Sequence, residues 1–431
     1  MKNKKNIFIV CLVIGVILAA FNLFATSQKG RLKEIEEQQA ARKKALAQIE
    51  TADLLGIDPE TIEVPDEVTL TGSDRFFMNV NSKGALLWDA AIDLLIVGVG
   101  GLLYGIWKKK RRESAKSKVS SSGNVTGILI ALFALCLNLA IASPVFLTSS
   151  NFLNVFQQIS INFVVAVGMT FVIISGGIDL SVGSNIALSG LLMGILMKTY
   201  HVPVFVTIVV CILLSGLIGL LNGILISFLS LPPFIVTLGT MSIVRGAAYT
   251  VTGGQPIYTF PTGFTAISGR IGGVPVWSTL IMLAVFFLGW YILKYTRVGR
   301  FTYAVGGNEN CAKLSGINLN RVKCFVYMYS GLCCGVAALL LSSRLDSAVP
   351  TNADGQEMDA IAAVVIGGTS MSGGEGSMIG TLIGILIIGI IANGLNLLGV
   401  AQGPQKMVKG LIIVIAVVID VIRRKASQSA K

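Results

Sequence analysis

The chain has 431 residues, of which 53% are hydrophobic and only 13% are charged, and its mean hydropathy is +0.77. Because a soluble globular domain carries about 25% charged residues, this composition excludes an ordinary soluble protein and indicates one that crosses a membrane several times. The net charge of +12 is compatible with binding to nucleic acid, but the distribution of Lys and Arg explains it as a topology signal.

Twelve apolar segments are candidates for membrane spans, each of which needs about 20 apolar residues. In chain order they are Ile7–Ala25, Ala85–Trp107, Gly127–Phe146, Ile161–Ser175, Ser184–Lys198, Val204–Leu229, Phe234–Val251, Trp277–Tyr295, Val322–Leu341, Ala360–Gly368, Met378–Leu397 and Met407–Ile422. Ala360–Gly368 is too short to cross alone and is included because the charge distribution requires a crossing there. The predicted fold class is all-α, a polytopic helical bundle in the membrane.

Clusters of Lys and Arg predict the orientation, because these residues accumulate in short cytoplasmic loops. Twenty of the 34 Lys and Arg lie in four clusters, at the N-terminus and in residues 108–118, 294–323 and 423–431. The clusters share one side of the membrane only if the numbers of spans between them are even, and two, six and four spans satisfy this condition. Both termini are therefore expected in the cytoplasm, and no nucleic-acid partner is expected.

The chain is predicted to divide into an N-terminal extension, a core and a cytoplasmic tail, at residues 1–118, 123–425 and 426–431. The extension comprises an anchor span, an external segment at residues 27–84, a second span and a basic linker. No clean cleavage site follows the first span, which favours a retained anchor over a removed signal peptide. The external segment, with a short helix expected within Gly30–Glu50, either decorates the outer face or helps to dock a partner.

A glycine-rich motif, GG-x3-S-x-G, occurs twice in the core. Its residues are Gly176, Gly177, Ser181 and Gly183 in the first copy, and Gly367, Gly368, Ser372 and Gly374 in the second. Transporters are often built from internal repeats with broken helices at corresponding positions, and chance similarity in a glycine-rich chain is the alternative. The predicted spans place both copies on the same side of the membrane.

Polar groups at membrane depth are candidate functional residues because they are costly there. Asp179 is either a pathway or gating residue, or the cap of a helix that begins at Ser181 near the cytoplasmic surface. Arg245 lies within a predicted span, and Glu357 and Asp359 are its candidate partners. Asn393, like Asn162 and Asn396, lines a cavity or joins two helices. The candidate pathway or gating residues are Gly176, Gly177, Asp179, Ser181, Gly183, Arg245, Glu357, Asp359, Gly367, Gly368 and Asn393.

The chain offers little for chemistry of its own. It has no G-x4-G-K-[ST] phosphate-binding loop, a single histidine at a span boundary, His201, and seven cysteines without a CxxC pair, which are expected to be buried thiols. Neither a cofactor nor a metal is expected, and an enzyme acting alone is not expected either. The cytoplasmic segment 296–318 is much longer than a plain connection between helices, so we expect a short helix there that docks into a partner.

Four stretches of the core resemble a known family. They are VGMTFVIISGGIDLSVGS at 167–184, GRFTYAVGGNENCAKLSGIN at 299–318, DAIAAVVIGGTSMSGGEGS at 359–377 and NGLNLLGV at 393–400. In this order and spacing they resemble the permease subunits of ABC importers for monosaccharides, in particular the ribose-type branch, over nearly all of residues 123–425. The extension departs from this family and leaves the sugar open.

The resemblance implies ten core spans in each of two permease chains, expected to be identical, with the translocation pathway between them in the bacterial inner membrane. It implies an ATPase on the cytoplasmic side, which would hydrolyse ATP in place of this chain, and a solute-binding protein outside. It also implies that segment 296–318 couples to the ATPase through Arg297, Gly299, Arg300, Ala304, Gly306, Gly307, Asn308, Glu309, Ala312, Ser315 and Gly316.

Two other classes of function compete with the importer. The first is an ion-coupled secondary sugar transporter that works without an ATPase and uses Asp179 and Arg245 in its coupling site. The second is a receptor or scaffold, which the many core glycines disfavour.

Overall fold

The computed structural model describes residues 145–270 and 274–428, residues 37–43, and several positions between 132 and 143. The chain divides into two compact units, of which the larger comprises Ser120–Leu397 and Gly403–Lys431, and the fold below is that of this larger unit. In the smaller unit residues 37–43 are helical, in agreement with the predicted external helix. The first two predicted spans lie outside the described residues.

Residues 145–428, where they are described, form twelve helices and two short strands. In chain order these are α1 (Ser149–Ile174), α2 (Val182–Lys198), α3 (Val204–Phe228), α4 (Pro233–Thr252), β1 (Ile257–Tyr258), α5 (Thr262–Thr265), α6 (Val276–Tyr295), α7 (Arg297–Gly307), α8 (Glu309–Leu314), α9 (Leu319–Leu345), β2 (Ser347–Ala348), α10 (Gln356–Ile366), α11 (Met378–Leu397) and α12 (Gln402–Gln428). The mostly helical class is confirmed, and the antiparallel pairing of β1 with β2 is an addition that hydropathy does not reveal.

Six helices, α1, α3, α4, α6, α9 and α11, are long and apolar enough to cross a membrane, and α2 is a shorter apolar helix. They overlap the predicted spans between Ile161–Ser175 and Met378–Leu397, and a multi-pass membrane protein is confirmed. The 11 residues of α10 span about 16 Å at 1.5 Å per residue, which agrees with the expectation that this segment does not cross alone. The split into ten core and two N-terminal spans stays a prediction.

Helices α1 and α9 form the centre of the bundle. Nearly every residue of α1 from Ile159 to Ile174 is buried, and α9 packs against α1, α2 and α3. A Cβ atom at Gly219 of α3 would overlap the carbonyl oxygen of Tyr327 on α9. Helices in a membrane associate mainly through van der Waals contact, so the small residues of α3 and α9 fix these helices at close distance.

The outward faces of α3 and α6 carry large exposed apolar side chains. Examples are Phe205, Leu213 and Phe228 on α3, and Phe287 and Leu288 on α6, each more than half exposed. Contiguous apolar surface of this kind is found on soluble proteins only at binding sites. In a multi-pass membrane protein such a surface is suited to contact with the hydrocarbon of the bilayer.

Two connections interrupt helices inside the bundle. The first loop, residues 175–181, joins α1 to α2, and the second loop, residues 367–377, joins α10 to α11. In the first loop Asp179 accepts a hydrogen bond from Ser330, which lies about 16 Å along the 27-residue helix α9 at 1.5 Å per residue. Helix α2 therefore begins near half the depth of the bundle, where irregular backbone must be covered by protein or water.

Candidate functional site

Three backbone segments meet at one point, which we call the glycine junction: the first loop with the end of α1 (174–177), the end of α7 (306–307) and the second loop (373–376). The amide of Gly374 donates to the carbonyl oxygen of Ile174 at 2.9 Å. A Cβ atom at Gly306 would overlap that same carbonyl oxygen, and one at Gly373 would lie 2.8 Å from the carbonyl oxygen of Gly306. Only residues without a side chain bring the three backbones this close.

Local conformation also requires glycine at this point. Gly176, Gly373 and Gly374 have φ values of +83°, +80° and +76°, in the left-handed region that side chains disfavour. A hydrogen bond from the Tyr303 hydroxyl of α7 to the carbonyl oxygen of Gly376, at 2.8 Å, fastens α7 to the second loop. Burial raises the pKa of the Tyr303 phenol, which keeps it protonated as the donor.

The two copies of the glycine motif both lie beside the end of α7, and the side of the membrane on which they lie stays a prediction. They do not share a conformation. The positive φ falls on the first glycine of the pair in copy one, Gly176, and on the second in copy two, Gly368. Gly183 lies inside α2, whereas Gly374 lies in the second loop. The local structure therefore favours chance similarity over an internal repeat.

Asp179 is buried, with 2% of its surface exposed. One carboxylate oxygen accepts from the backbone amide of Ser181 at 3.0 Å and from its hydroxyl at 2.6 Å, and the other accepts from the Ser330 hydroxyl at 2.9 Å. The carboxylate thus contacts Ser181, the residue that precedes α2, and not an amide of the helix itself. Its depth relative to the membrane surface stays a prediction. No Lys, Arg or His in the described part of the chain hydrogen-bonds to this carboxylate.

The hydrogen bonds continue from Asp179 to two further helices. Asn222 of α3 donates to the Ser181 hydroxyl at 2.9 Å, and Thr240 of α4 donates to the Asn222 side chain at 2.6 Å. The carbonyl oxygen of Ile178 accepts from Thr237 of α4 at 3.2 Å. We call the side chains of Asp179, Ser181, Asn222, Thr240 and Ser330 the polar chain. It joins the first loop to α3, α4 and α9.

The proposed pairing of Arg245 with Glu357 or Asp359 is wrong. The Arg245 guanidinium donates to the carbonyl oxygens of Pro350 and Asn352, at 2.6 and 2.9 Å. Asp359 instead forms an ion pair with Lys409 of α12, at 2.7 Å. The arginine finds backbone carbonyls as hydrogen-bond acceptors because the connection between β2 and α10 passes beside α4. The sequence does not indicate that these two segments lie side by side.

Glu357 is buried at the start of α10 beside the start of α2, since a Cβ atom at Gly183 would overlap its carboxylate. Gly367 packs on the backbone of α11 at Gly380 in the same way. Both motif glycines therefore serve close contacts between elements.

Asn393 of α11 and Asn151 of α1 form a reciprocal pair, with side-chain hydrogen bonds of 3.1 and 2.8 Å. These bonds favour the interpretation that Asn393 joins two helices over the interpretation that it lines a cavity. Asn396 is exposed and accepts from Gln405 at 2.8 Å.

Segment 296–318 forms two helices, α7 and α8, in agreement with the expectation of helix rather than plain loop. Thr296 caps α7 through the amide of Gly299, and Asn308 caps α8 through the amide of Cys311. Gly299 and Ala312 are buried and hold the helices against the bundle. The other candidate coupling residues are at least partly exposed: Arg297, Arg300, Ala304, Gly306, Gly307, Asn308, Glu309, Ser315 and Gly316.

The free surface of α7 and α8 mixes apolar and charged groups. Leu314 is 88% exposed, and Phe301 is 37% exposed. Glu309 forms an ion pair with Lys323 at 2.7 Å. Cys311 is exposed, so the expectation of buried thiols is wrong for this residue. Apolar and charged side chains are therefore both available on this surface for contact with a partner.

Sequence reasoning missed Ser330, Thr240, Tyr303 and Lys409. The first two are small polar residues inside apolar helices, which carry no distinctive pattern. Lys409 could have been found, since it is a cation just inside a predicted span and needs a partner. In the described residues no group of three or more His, Cys, Asp and Glu is placed to hold a metal ion.

The described helices form a multi-pass membrane bundle in which two loops interrupt the helices. Residues 151–417 match the family described as branched-chain amino acid transport system / permease component. The ribose import permease protein of Bacillus subtilis is 46% identical over 304 residues, 70% of this chain and 93% of that protein. That of Haemophilus influenzae is 44% identical over 298 residues, 68% of this chain and 91% of that protein.

The D-allose transport system permease protein of Escherichia coli is 37% identical over 297 residues, 69% of this chain and 89% of that protein. No solved structure matches the chain. The extent and identity of these matches show that the chain belongs to the permease family of ABC importers, as a transport component rather than an enzyme.

Proposed function

We propose that this chain is the membrane-spanning subunit of an ABC importer that moves ribose or a related monosaccharide into the cell. The observation that carries this proposal is the likeness to two ribose import permeases over 91% and 93% of their lengths. The other similar permeases include ones named for D-allose and fructose. The family description names amino acids. Identity of 44–46% over more than nine-tenths of two ribose import permeases is a more specific guide to the substrate, and it favours a sugar.

An ABC permease requires an ATPase and a solute-binding protein as partners. The surface of α7 and α8 supports the ATPase contact, because it presents an exposed leucine and several glycines on two capped helices. The positive residues Arg297 and Arg300 are exposed there, which is consistent with a cytoplasmic position. Both termini of the chain would then be cytoplasmic.

The pathway would pass beside the two loops and the charged start of α10. Asp179, Arg245, Glu357 and Asp359 are buried or half-buried polar groups within the bundle, and such groups concentrate along substrate pathways in membrane proteins. Helix α4 leaves an uncovered face, and a Cβ atom at Gly239 or at Gly246 would meet nothing within 4 Å. A second copy of the chain facing α4 would close the pathway.

The extension, residues 1–118, would add two spans and an external segment to the ten-span core at residues 123–425. The B. subtilis permease is matched over 93% of its length by 70% of this chain, which supports a core that performs transport and an addition with a separate role.

The test is reconstitution of the full chain in proteoliposomes with its partner ATPase and binding protein. ATP-driven uptake of labelled ribose, D-allose or fructose is expected, with leucine as the amino acid control. Uptake of leucine but of none of the sugars would overturn the assignment of substrate. Sugar uptake that needs an ion gradient and no ATPase would overturn the class.

A further inference from the structure

The first loop has two ends with different partners. At residues 174–177 it belongs to the glycine junction, where the carbonyl oxygen of Ile174 leaves no space for a side chain at Gly306 of α7. Directly after this segment, Ile178 and Asp179 hold hydrogen bonds to α4 and α9. A displacement of α7 therefore acts directly on the loop that anchors the polar chain.

We propose that Asp179 is a positioning residue that transmits movement of α7 at the glycine junction to the pathway helix α4. This inference rests on the proposed coupling of α7 and α8 to an ATPase. The buried carboxylate would keep the first loop, α3 and α4 in one arrangement, so that the three move together.

The direction of the hydrogen bonds supports this role. Thr240 donates to Asn222, Asn222 donates to Ser181, and Ser181 donates to Asp179. Both oxygens of the Asp179 side chain accept hydrogen bonds in this arrangement, so they orient every donor in the same sense. Chains of this kind strengthen one another in a low dielectric. A carboxamide in this place would present a donor on one side and reverse at least one of the bonds.

Helix α4 has few buried residues, so its hydrogen bonds to the first loop and the polar chain matter for its position. Only Val236, Thr237, Val244 and Ala248 are buried along its 20 residues. Two of its inward bonds, from Thr237 to Ile178 and from Thr240 to Asn222, lead to the first loop or to the polar chain. Arg245 ties the C-terminal half of α4 to the connection before α10. The part around Thr237 and Thr240, where few residues are buried, is expected to follow the first loop.

The experiment compares three variants in the reconstituted complex: Asp179→Asn, Thr240→Val and the control Thr170→Val. The control breaks the contact of two buried hydroxyls, Thr170 with Thr381 at 2.8 Å. This pair lies outside the polar chain and is more deeply buried than the half-buried Thr240. Uptake of ribose, ATP hydrolysis with and without loaded binding protein, and thermal stability are measured for each. Coupling between sites is worth about 5–150-fold.

We expect Asp179→Asn and Thr240→Val to lower sugar uptake per ATP hydrolysed by about tenfold, with basal hydrolysis unchanged. Thr170→Val is expected to leave that ratio as in the wild type. If Asp179→Asn does not assemble, Thr240→Val decides, because it leaves the carboxylate in place. An unchanged ratio in Thr240→Val, or an equal fall in Thr170→Val, would overturn the inference. Failure of the wild-type complex to take up any sugar with ATP would instead count against the proposed function.

Discussion

The two ends of α10 are held by opposite kinds of interaction. Its C-terminal end leads through the second loop into the glycine junction, where three backbones touch and side chains are excluded. Its N-terminal end is held by charge. Arg245 binds two carbonyls of the preceding connection, Lys406 pairs with Asp354, and Lys409 pairs with Asp359.

The two ends of α10 therefore differ in what they are sensitive to: the C-terminal end to side-chain size and the N-terminal end to charge. Contact between backbones depends on distance alone, so it is insensitive to salt and intolerant of a single methyl group. An ion pair tolerates small changes of volume but depends on the charge of its partner and on burial. We therefore expect mutations to act by size at the glycine junction and by charge at the start of α10. Four predictions test that distinction, from the largest effect to the smallest.

The largest effect is expected at Gly306. In Gly306→Ala the new methyl group overlaps the Ile174 carbonyl, whereas in Gly307→Ala it meets nothing within 4 Å. We expect Gly306→Ala to reduce ATP-driven uptake by about a hundredfold, the upper range of coupling between sites, and Gly307→Ala to retain it. The readout is initial uptake rate per permease in proteoliposomes. Equal activity of the two variants would show that the junction is not a rigid contact.

The next effect is expected at the buried ion pair. Lys409→Met leaves Asp359, which is 8% exposed at its side chain, without its cation, and we expect a loss of about 3 kcal/mol in the free energy of unfolding. Unfolding in mixed micelles provides the measurement. The double variant Asp359→Leu with Lys409→Met removes both charges and is expected to recover most of the loss. If the double variant is as unstable as the single one, volume rather than charge governs this end of α10.

A smaller effect is expected for Arg245→Lys. Both bonds come from one guanidinium nitrogen, Nη1. The lysine keeps the charge on a shorter side chain, so we expect the loss of one charge-assisted bond, worth about 1.5 kcal/mol. The same unfolding measurement applies, with Arg321→Lys on an exposed turn of α9 as the control. A loss in the control equal to that in Arg245→Lys would contradict the assignment of the two carbonyls as partners.

The smallest effect concerns the exposed pair of Lys406 and Asp354, at 2.8 Å. The hydrogen bond from Lys406 lowers the pKa of Asp354, and the same contact raises the pKa of Lys406. Stability from the carboxylate is present above its ordinary pKa and is lost as pH falls through the lowered value. Stability from the amine is present below its ordinary pKa and is lost as pH rises through the raised value.

Both partners are therefore charged at neutral pH, and salt weakens the contribution of this ion pair to the free energy of unfolding. We expect Lys406→Ala to change the unfolding midpoint at pH 7 far less than Lys409→Met does. A comparable change would show that burial does not set the difference between these two ion pairs.

Much of the fold followed from local features of the sequence. Membrane helices from α1 to α11 were predicted because hydropathy is a property of contiguous residues. The helices of segment 296–318 were expected from its length and its apolar residues, such as Phe301. The glycines of both motifs were identified as special because their spacing marks broken helices. The partner of Arg245 was predicted wrongly. Opposite charge points to carboxylates, whereas the observed partners are backbone carbonyls, which every residue carries and no sequence pattern distinguishes.

The sequence by itself determined that this chain spans a membrane, which segments are apolar, and which family it resembles, since these depend on composition and on contiguous motifs. Only the tertiary structure decided that residues 174, 306 and 374 touch, and that Asp179 is joined to Thr240 through Ser181 and Asn222. Those contacts join positions up to 200 residues apart, and they arise from how helices pack. Packing depends on shape in three dimensions, which no local pattern of residues records.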